Sequence, residues 1–172
     1  QHIVAADIET NEASITSDKN AVACTWSADS SCSMMVYNGA SLGSPDELYS
    51  LDLNSGFTKQ ITHLNRAYVN GRNFNVAEEV VFKNRRQKLM GWIVKPPNFN
   101  AKMKYPFILN IHGGPRCQYG RTFYHEMQVL AQAGYVVMYT NPRGSQGYGE
   151  KFAKAIRGKW AEPAMSDLMA AV

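Results

Sequence analysis

The sequence predicts a mixed fold, an antiparallel β meander followed by part of an α/β sheet, and three observations carry that expectation. Up to about residue 70, short strand-like runs alternate with turn residues. Beyond about residue 72, two apolar runs, YPFILNI and YVVMYT, flank a segment with helical periodicity. The first of those runs breaks abruptly into His112-Gly113-Gly114-Pro115. The expected division is residues 1–70 for the meander and 71–172 for the α/β part.

In the meander, AVACTWS, CSMMVYN, LYSLDL and FTKQIT are separated by ADSS, ASLGSPDE and NSG. Within LYSLDL, Tyr49, Leu51 and Leu53 fall on one side and Ser50 and Asp52 on the other, the period of two of a half-buried strand. Strands of this length and spacing build a sandwich, a barrel or a propeller blade. A single four-stranded unit cannot bury its apolar face alone, and blades bury theirs by stacking on neighbours. No second copy of the DLNSG turn occurs, so partner blades are expected upstream of residue 1.

The α/β part opens with VAEEVVFKNRRQKLMGWIVKPP, read as a two-stranded hairpin, and passes into the buried strand YPFILNI. RTFYHEMQVLAQAG places Phe123, Met127, Leu130 and Ala131 at helical spacing, with Gly134 as a C-terminal stop. YVVMYT is then a second buried strand, and strand, helix, strand reads as the βαβ unit of a parallel sheet covered on both faces. PAMSDLMAAV places Met165, Leu168, Met169 and Val172 on one helical face, with Pro163 in its first turn. A chain that starts in a strand and stops inside an amphipathic helix is expected to be a fragment.

Composition excludes several classes of function. With 45% hydrophobic and 19% charged residues over 172 positions, the chain has the make-up of a folded soluble protein. No apolar run approaches the roughly 20 residues that a membrane helix needs. Cys24, Cys32 and Cys117 form an odd set without a C-x-x-C pair, so reduced thiols and a cytoplasmic location are expected, without a disulfide framework or zinc site. The net charge is +4, and the densest basic cluster is Lys83, Arg85, Arg86 and Lys88. It falls at a hairpin tip with no interleaved aromatics and reads as a solvated turn, so neither nucleic acid nor membrane is expected as a partner.

The chemistry lies in the glycines. In open parallel sheets, ligands bind beyond the carboxyl ends of the strands, where the loop after ILNI lies. An H-G-G-x loop after an early strand is the α/β-hydrolase arrangement for half of an oxyanion hole, in which a backbone N–H faces the developing negative oxygen. A tight strand-to-loop turn would use the same two glycines. The next strand, however, closes at the same sheet edge with a second glycine-rich loop, NPRGSQGYG.

IHGGP, the following apolar strand, NPRGSQGYG, G-K-W and the helix with Asp167 together resemble the start of the catalytic domain of the prolyl oligopeptidase family of serine peptidases. The likeness is to the acylaminoacyl-peptidase-like and dipeptidyl-peptidase-like branches. SPDELYSLDLNSGFTKQITHLN resembles the propeller blade that precedes that domain. The resemblance implies a β-propeller blade followed by the N-terminal part of an α/β-hydrolase domain, incomplete before the nucleophile, in an enzyme that cuts short peptides. It implies Gly114 as the first oxyanion donor through its backbone N–H, with Gly113 allowing close approach. Some branches place a tyrosine hydroxyl where His112 stands, so His112 is expected to orient the loop. Arg143 could bind a substrate carboxylate, and the family pattern favours anchoring its loop by an ion pair. Asp167 is expected as a helix-start or ion-pair carboxylate, Tyr148 and Trp160 as packing groups. Ala161 stands where the family usually has a glycine.

Acyl transfer needs a serine on a G-x-S-x-G elbow. The sequence is read as lacking one, with Gly144-Ser145-Gln146-Gly147 as the nearest imitation, and the elbow is expected beyond residue 172. The 172 residues alone are therefore expected to be inactive. His125-Glu126 opens like a zincin helix, but Val129 stands at the second histidine position. No cofactor is expected, and Cys117 reads as a spectator thiol. The expected partners are a short peptide substrate and, through exposed apolar surface, a second copy or the remainder of a longer chain. The alternatives are an esterase or lipase, a degenerate hydrolase relative, or a non-enzymatic interaction module.

Overall fold

The computed structural model describes residues 3–6, 13–15, 22–114 and 116–172; Pro115, the last residue of the H-G-G-P motif, lies outside them. The chain forms two compact units, Gln1–Asn73 with Gly120–His125, and Phe74–Tyr119 with Glu126–Val172.

In the first unit, β1 (Val4–Ala6) and β2 (Ala13–Ile15) make a two-stranded antiparallel sheet. β3 (Val22–Ala28), β4 (Met34–Ser41), β5 (Ser44–Asp52) and β6 (Thr58–Gln60) follow as a four-stranded meander in sequence order. Alternation decides the faces: Met35, Tyr37 and Leu51 are buried together with Ile3 and Ala23, and Tyr49 and Leu53 pack against them. Side-chain acceptors close the turns. Asp29 receives the N–H groups of Ser33 and Met34 and the hydroxyls of Ser31 and Ser33, which hold its carboxyl far below the usual range. Glu47 is buried, which by itself would raise its pKa. Bonds from Thr62 Oγ1 and from the N–H groups of Leu64 and Asn65 outweigh that, so the net shift is downward and the segment before α1 (Arg66–Asn70) is tied to β5.

The literal pattern G-x-S-x-G does occur, as Gly39-Ala40-Ser41-Leu42-Gly43, which corrects the reading that the chain lacks it. Here it is a hairpin: Ser41 pairs with Ser44 across the turn from β4 to β5. A nucleophile elbow is a strand-to-helix turn, so these residues are not one.

In the second unit, β7 (Glu78–Asn84) and β8 (Gln87–Val94) form the hairpin, with Arg85-Arg86 at its tip. β9 (Phe107–Asn110), α2 (His125–Gln132) and β10 (Val136–Thr140) follow. The sheet order is β7-β8-β10-β9, with β10 parallel to β9 and antiparallel to β8. The sheet is therefore mixed rather than parallel throughout. Its centre is β10, where Val137, Met138 and Tyr139 are buried and Tyr139 stacks on Trp92 of β8 at 5.3 Å. β9 is an edge strand with Phe107 exposed, so it is not the fully covered strand that its composition suggested. α2 starts at His125, later than expected, and buries Met127, Gln128 and Ala131; Phe123 precedes the helix.

After the β10 loop come α3 (Glu150–Ala153), a 3-10 turn (Lys154–Ile156) and α4 (Glu162–Met169). α4 turns Asp167 and Leu168 inward and leaves Met165 and Met169 exposed, as is Val172 beyond its end, so of the predicted apolar face only Leu168 is buried. Trp160 is also exposed, against its expected packing role.

Gly91 sits where β8 crosses Thr140. A Cβ there would lie 2.9 Å from the Tyr139 carbonyl oxygen and 3.1 Å from Thr140 Cβ. Gly91→Ala is expected to destabilise the unit by about 1–3 kcal/mol, read by urea unfolding followed by tryptophan fluorescence.

Candidate active site

β9 and β10 run in parallel, so their carboxyl ends deliver two loops, residues 111–119 and 141–149, to the same edge of the sheet. Polar contacts then zip the loops together. Arg116 N–H donates to the Gly144 carbonyl at 3.1 Å, and Gln146 N–H donates to the Cys117 carbonyl at 3.1 Å. Asn141 is buried; its Oδ1 accepts from Tyr119 N–H at 2.8 Å, and its Nδ2 donates to the Tyr119 carbonyl at 2.9 Å. Nδ2 also lies 2.9 Å from the Tyr148 hydroxyl, while the Tyr148 ring packs against Phe152 at 4.9 Å. Tyr119 in turn donates its hydroxyl to Asn110 Oδ1 at the end of β9.

His112 takes part in the same zip. Its Nε2 lies 2.9 Å from Ser145 Oγ, and Ser145 is buried with its hydroxyl 2.7 Å from the Pro142 carbonyl. A carbonyl can only accept, so the Ser145 proton goes to Pro142 and the serine oxygen accepts from His112, which places the imidazole proton on Nε2. Burial lowers the His112 pKa below its ordinary 6.5, against the opposing effect of the Gly113 carbonyl and Asn141, so the ring is neutral at pH 7. It bridges the two loops without adding charge.

The glycines themselves stand bare. Gly113 and Gly114 are exposed, and Gly114 has φ +67°, a left-handed backbone that disfavours side chains. A Cβ on Gly113 would meet nothing within 4 Å, and one on Gly114 would meet only Cys117 Sγ at 3.7 Å, an ordinary contact. Among the described residues, the Gly114 N–H has no hydrogen-bond acceptor. Gly147 is different: its φ of +88° disfavours any side chain, and a Cβ would lie 2.3 Å from Gln118 Oε1, so the tip of that flexible side chain would have to move. A cavity of about 340 Å3 opens beside this point, lined by Arg116, Gln118, Gln146 and Gly147.

Arg143 points away from the glycines and grips Asp167. Its Nε donates to Oδ2 and its Nη2 to Oδ1, both at 2.8 Å, and its backbone N–H reaches Oδ2 at 2.9 Å. Asn84 Nδ2 adds a fourth donor at 2.7 Å to Oδ1. Asp167 is wholly buried and lies inside α4, not at its start. Sequence reasoning missed Asn141 and Asn84, whose partners lie 22 and 83 residues away, and no local pattern marks them. Cys24, Cys32 and Cys117 are free and exposed, and among the described residues no group of three or more His, Cys, Asp or Glu could hold a metal.

Residues 121–172, which contain α2, β10, the second loop and α4, match the model of the prolyl oligopeptidase family. The chain belongs to that family. Over 129 residues it is 43% identical to the uncharacterized peptidase YuxL of Bacillus subtilis, a match that covers 74% of this chain and 20% of that protein. Dipeptidyl-peptidase 5 of Porphyromonas gingivalis is 30% identical over 131 residues, 74% of this chain and 19% of that one. Among solved structures, the acylaminoacyl peptidase of Pyrococcus horikoshii superposes with a TM-score of 0.82 at 30% identity, over 92% of this chain and 25% of that chain. The chain thus spans about a fifth of the length of these curated relatives. Its fold is the one the family resemblance implies, an antiparallel propeller-blade sheet followed by the first part of an α/β-hydrolase sheet.

Asp167→Asn leaves the Arg143 guanidinium without its counter-charge and should destabilise the fold by on the order of 3 kcal/mol in urea unfolding. For His112, the unfolded chain takes up the proton first as the pH falls, because the native pKa is the lower one. The stability due to the neutral ring is complete above about pH 6.5 and is lost as the pH drops below it toward the native pKa. His112→Gln, which keeps a donor facing Ser145, should flatten that part of the profile of melting temperature against pH.

Proposed function

We propose that this chain is part of a serine-type peptidase that hydrolyses short peptides by acyl transfer, and that it supplies half of the oxyanion hole. Gly114 donates its backbone N–H to the developing oxyanion, and Gly113 lets the scissile carbonyl approach. His112 and Arg143 orient the two loops, His112 through Ser145 and Arg143 through Asp167. One observation carries the reading: a Cβ on Gly113 would meet nothing within 4 Å among the described residues, so their packing gives no reason for its bareness, whereas a substrate arriving from outside does. The Gly114 N–H, with no acceptor among the described residues, supports the same reading. A donor so placed stabilises an acyl-transfer transition state by about 2.7–4 kcal/mol.

The nucleophile is not among these residues: the one G-x-S-x-G lies on a β hairpin, and Ser145 gives its proton to a carbonyl. The 172-residue span by itself is therefore inactive in this proposal. Exposed Met165 and Met169 on α4, with exposed Val172 after it, support association with further protein surface, from a longer chain or a second copy. Three free cysteines support a reducing, cytoplasmic location.

The test uses the full-length protein that contains this chain. A serine-directed fluorophosphonate should label it, and Gly113→Ala should lower kcat/KM for blocked aminoacyl and dipeptidyl substrates at least tenfold. The melting temperature should hold or rise slightly, since Gly113 has open space and no positive φ. Unchanged kinetics in that variant would remove the close-approach argument, and activity confined to p-nitrophenyl esters would turn the reading to an esterase.

A further inference from the structure

The basic hairpin tip, which the candidate active site does not use, forms one wall of a cavity. β8 continues beyond the end of β10: Gly91 pairs with Thr140, and Gln87 lies four residues further out, about 13 Å at strand rise. The turn Arg85-Arg86 is thereby held over the start of α4, and a cavity of about 610 Å3 lies between them. Its lining includes Arg85, Arg86, Lys159, Ser166 and Glu162.

Charge in this cavity is not balanced. Among the described residues, Arg85, Arg86 and Lys159 have no ion-pair partner, and Glu162 is the single carboxylate on the wall. Three free cations against one carboxylate leave the wall two charges positive. Arg143 also borders the cavity, neutralised by Asp167, and its Nη1 has no partner among the described residues. Ser166 contributes a hydroxyl whose oxygen accepts from Asn84 Nδ2 at 2.8 Å, which leaves its proton for a ligand. Two adjacent guanidiniums, an ammonium and a free hydroxyl suit a compact doubly charged oxyanion. Guanidiniums bind such oxygens through paired N–H donors, and a dianion matches the excess charge.

We infer that this cavity is a binding site for a phosphate dianion, either free or as a phosphate monoester, separate from the glycine loops. The inference does not depend on the peptidase reading, and each can fail without the other.

Calorimetric titration of the full-length protein at low ionic strength tests it, with inorganic phosphate in one arm and phenyl phosphate in the other. Saturable binding is expected in at least one arm. Tighter binding of phenyl phosphate identifies a monoester as the occupant, and equal or tighter binding of inorganic phosphate identifies the free anion. Arg85→Asn with Arg86→Asn should weaken binding at least tenfold, because asparagine tolerates the left-handed backbone of residue 85 (φ +53°) while both charges are lost. Lys159→Met should weaken it as well, and the ligand-free melting temperatures of these variants should match the parent. Absence of saturable binding in both arms, or binding by the double variant equal to the parent, overturns the inference.

Discussion

The Asp167 carboxylate is the contact on which the rest of the α/β unit depends. A buried ion pair is favourable only when the remaining lone pairs and protons find partners, since removing both charges from water costs several kcal/mol per ion. Asp167 meets that condition with four donors, three from Arg143 and one from Asn84. The pair fixes three elements at once: the start of the β10 loop, the end of β7 and the rotation of α4. That rotation is why α4 buries Asp167 and Leu168 and leaves its methionines outside. Turning the apolar stripe inward would strand the carboxylate in solvent and the guanidinium without its counter-charge.

From this anchor the order passes outward through hydrogen bonds. Arg143 leads into Gly144 and Ser145, Gly144 accepts from Arg116, and Ser145 accepts from His112 beside the bare glycines. In the proposed function this loop presents a backbone N–H to a ligand, which side chains packed over it would block, and a polar zip along its flanks leaves the tip open. The neutral imidazole suits this arrangement. A protonated His112 would carry a second Nδ1 proton and a charge into a half-buried site, and burial disfavours that form. Membership of the prolyl oligopeptidase family gives the arrangement a chemical context, and the N–H of Gly114, without an acceptor among the described residues, gives it a physical one.

The meander obeys a simpler constraint. Met35, Tyr37 and Leu51 fill one face, while Met34, Val36 and Leu48 on the alternate positions are exposed. Apolar residues on both faces of a four-stranded sheet are what stacking between blades requires, because each sheet is then covered on two sides.

How much of this was legible follows from the range of each interaction. Strand and helix positions were readable because periods of two and 3.6 are local, and LYSLDL and YVVMYT appear where their patterns place them. The HGG and NPRGSQGYG loops were readable as glycine-rich ends of two strands at one sheet edge, while their use as a site belongs to the proposed function. The literal G-x-S-x-G was missed, and only its place on a hairpin decides that it is no elbow. Asn141 and Asn84 were invisible, since an asparagine in a loop or at a strand end has no local signature and gains its role from partners far away in the chain. The sequence by itself determined which segments are strands and where the backbone is bare, because those depend on neighbouring residues and on the absence of Cβ. The tertiary structure alone decided which face of α4 is buried, that the sheet is mixed and that the hairpin arginines overhang a cavity, because charge pairing and strand order join residues that no local pattern connects.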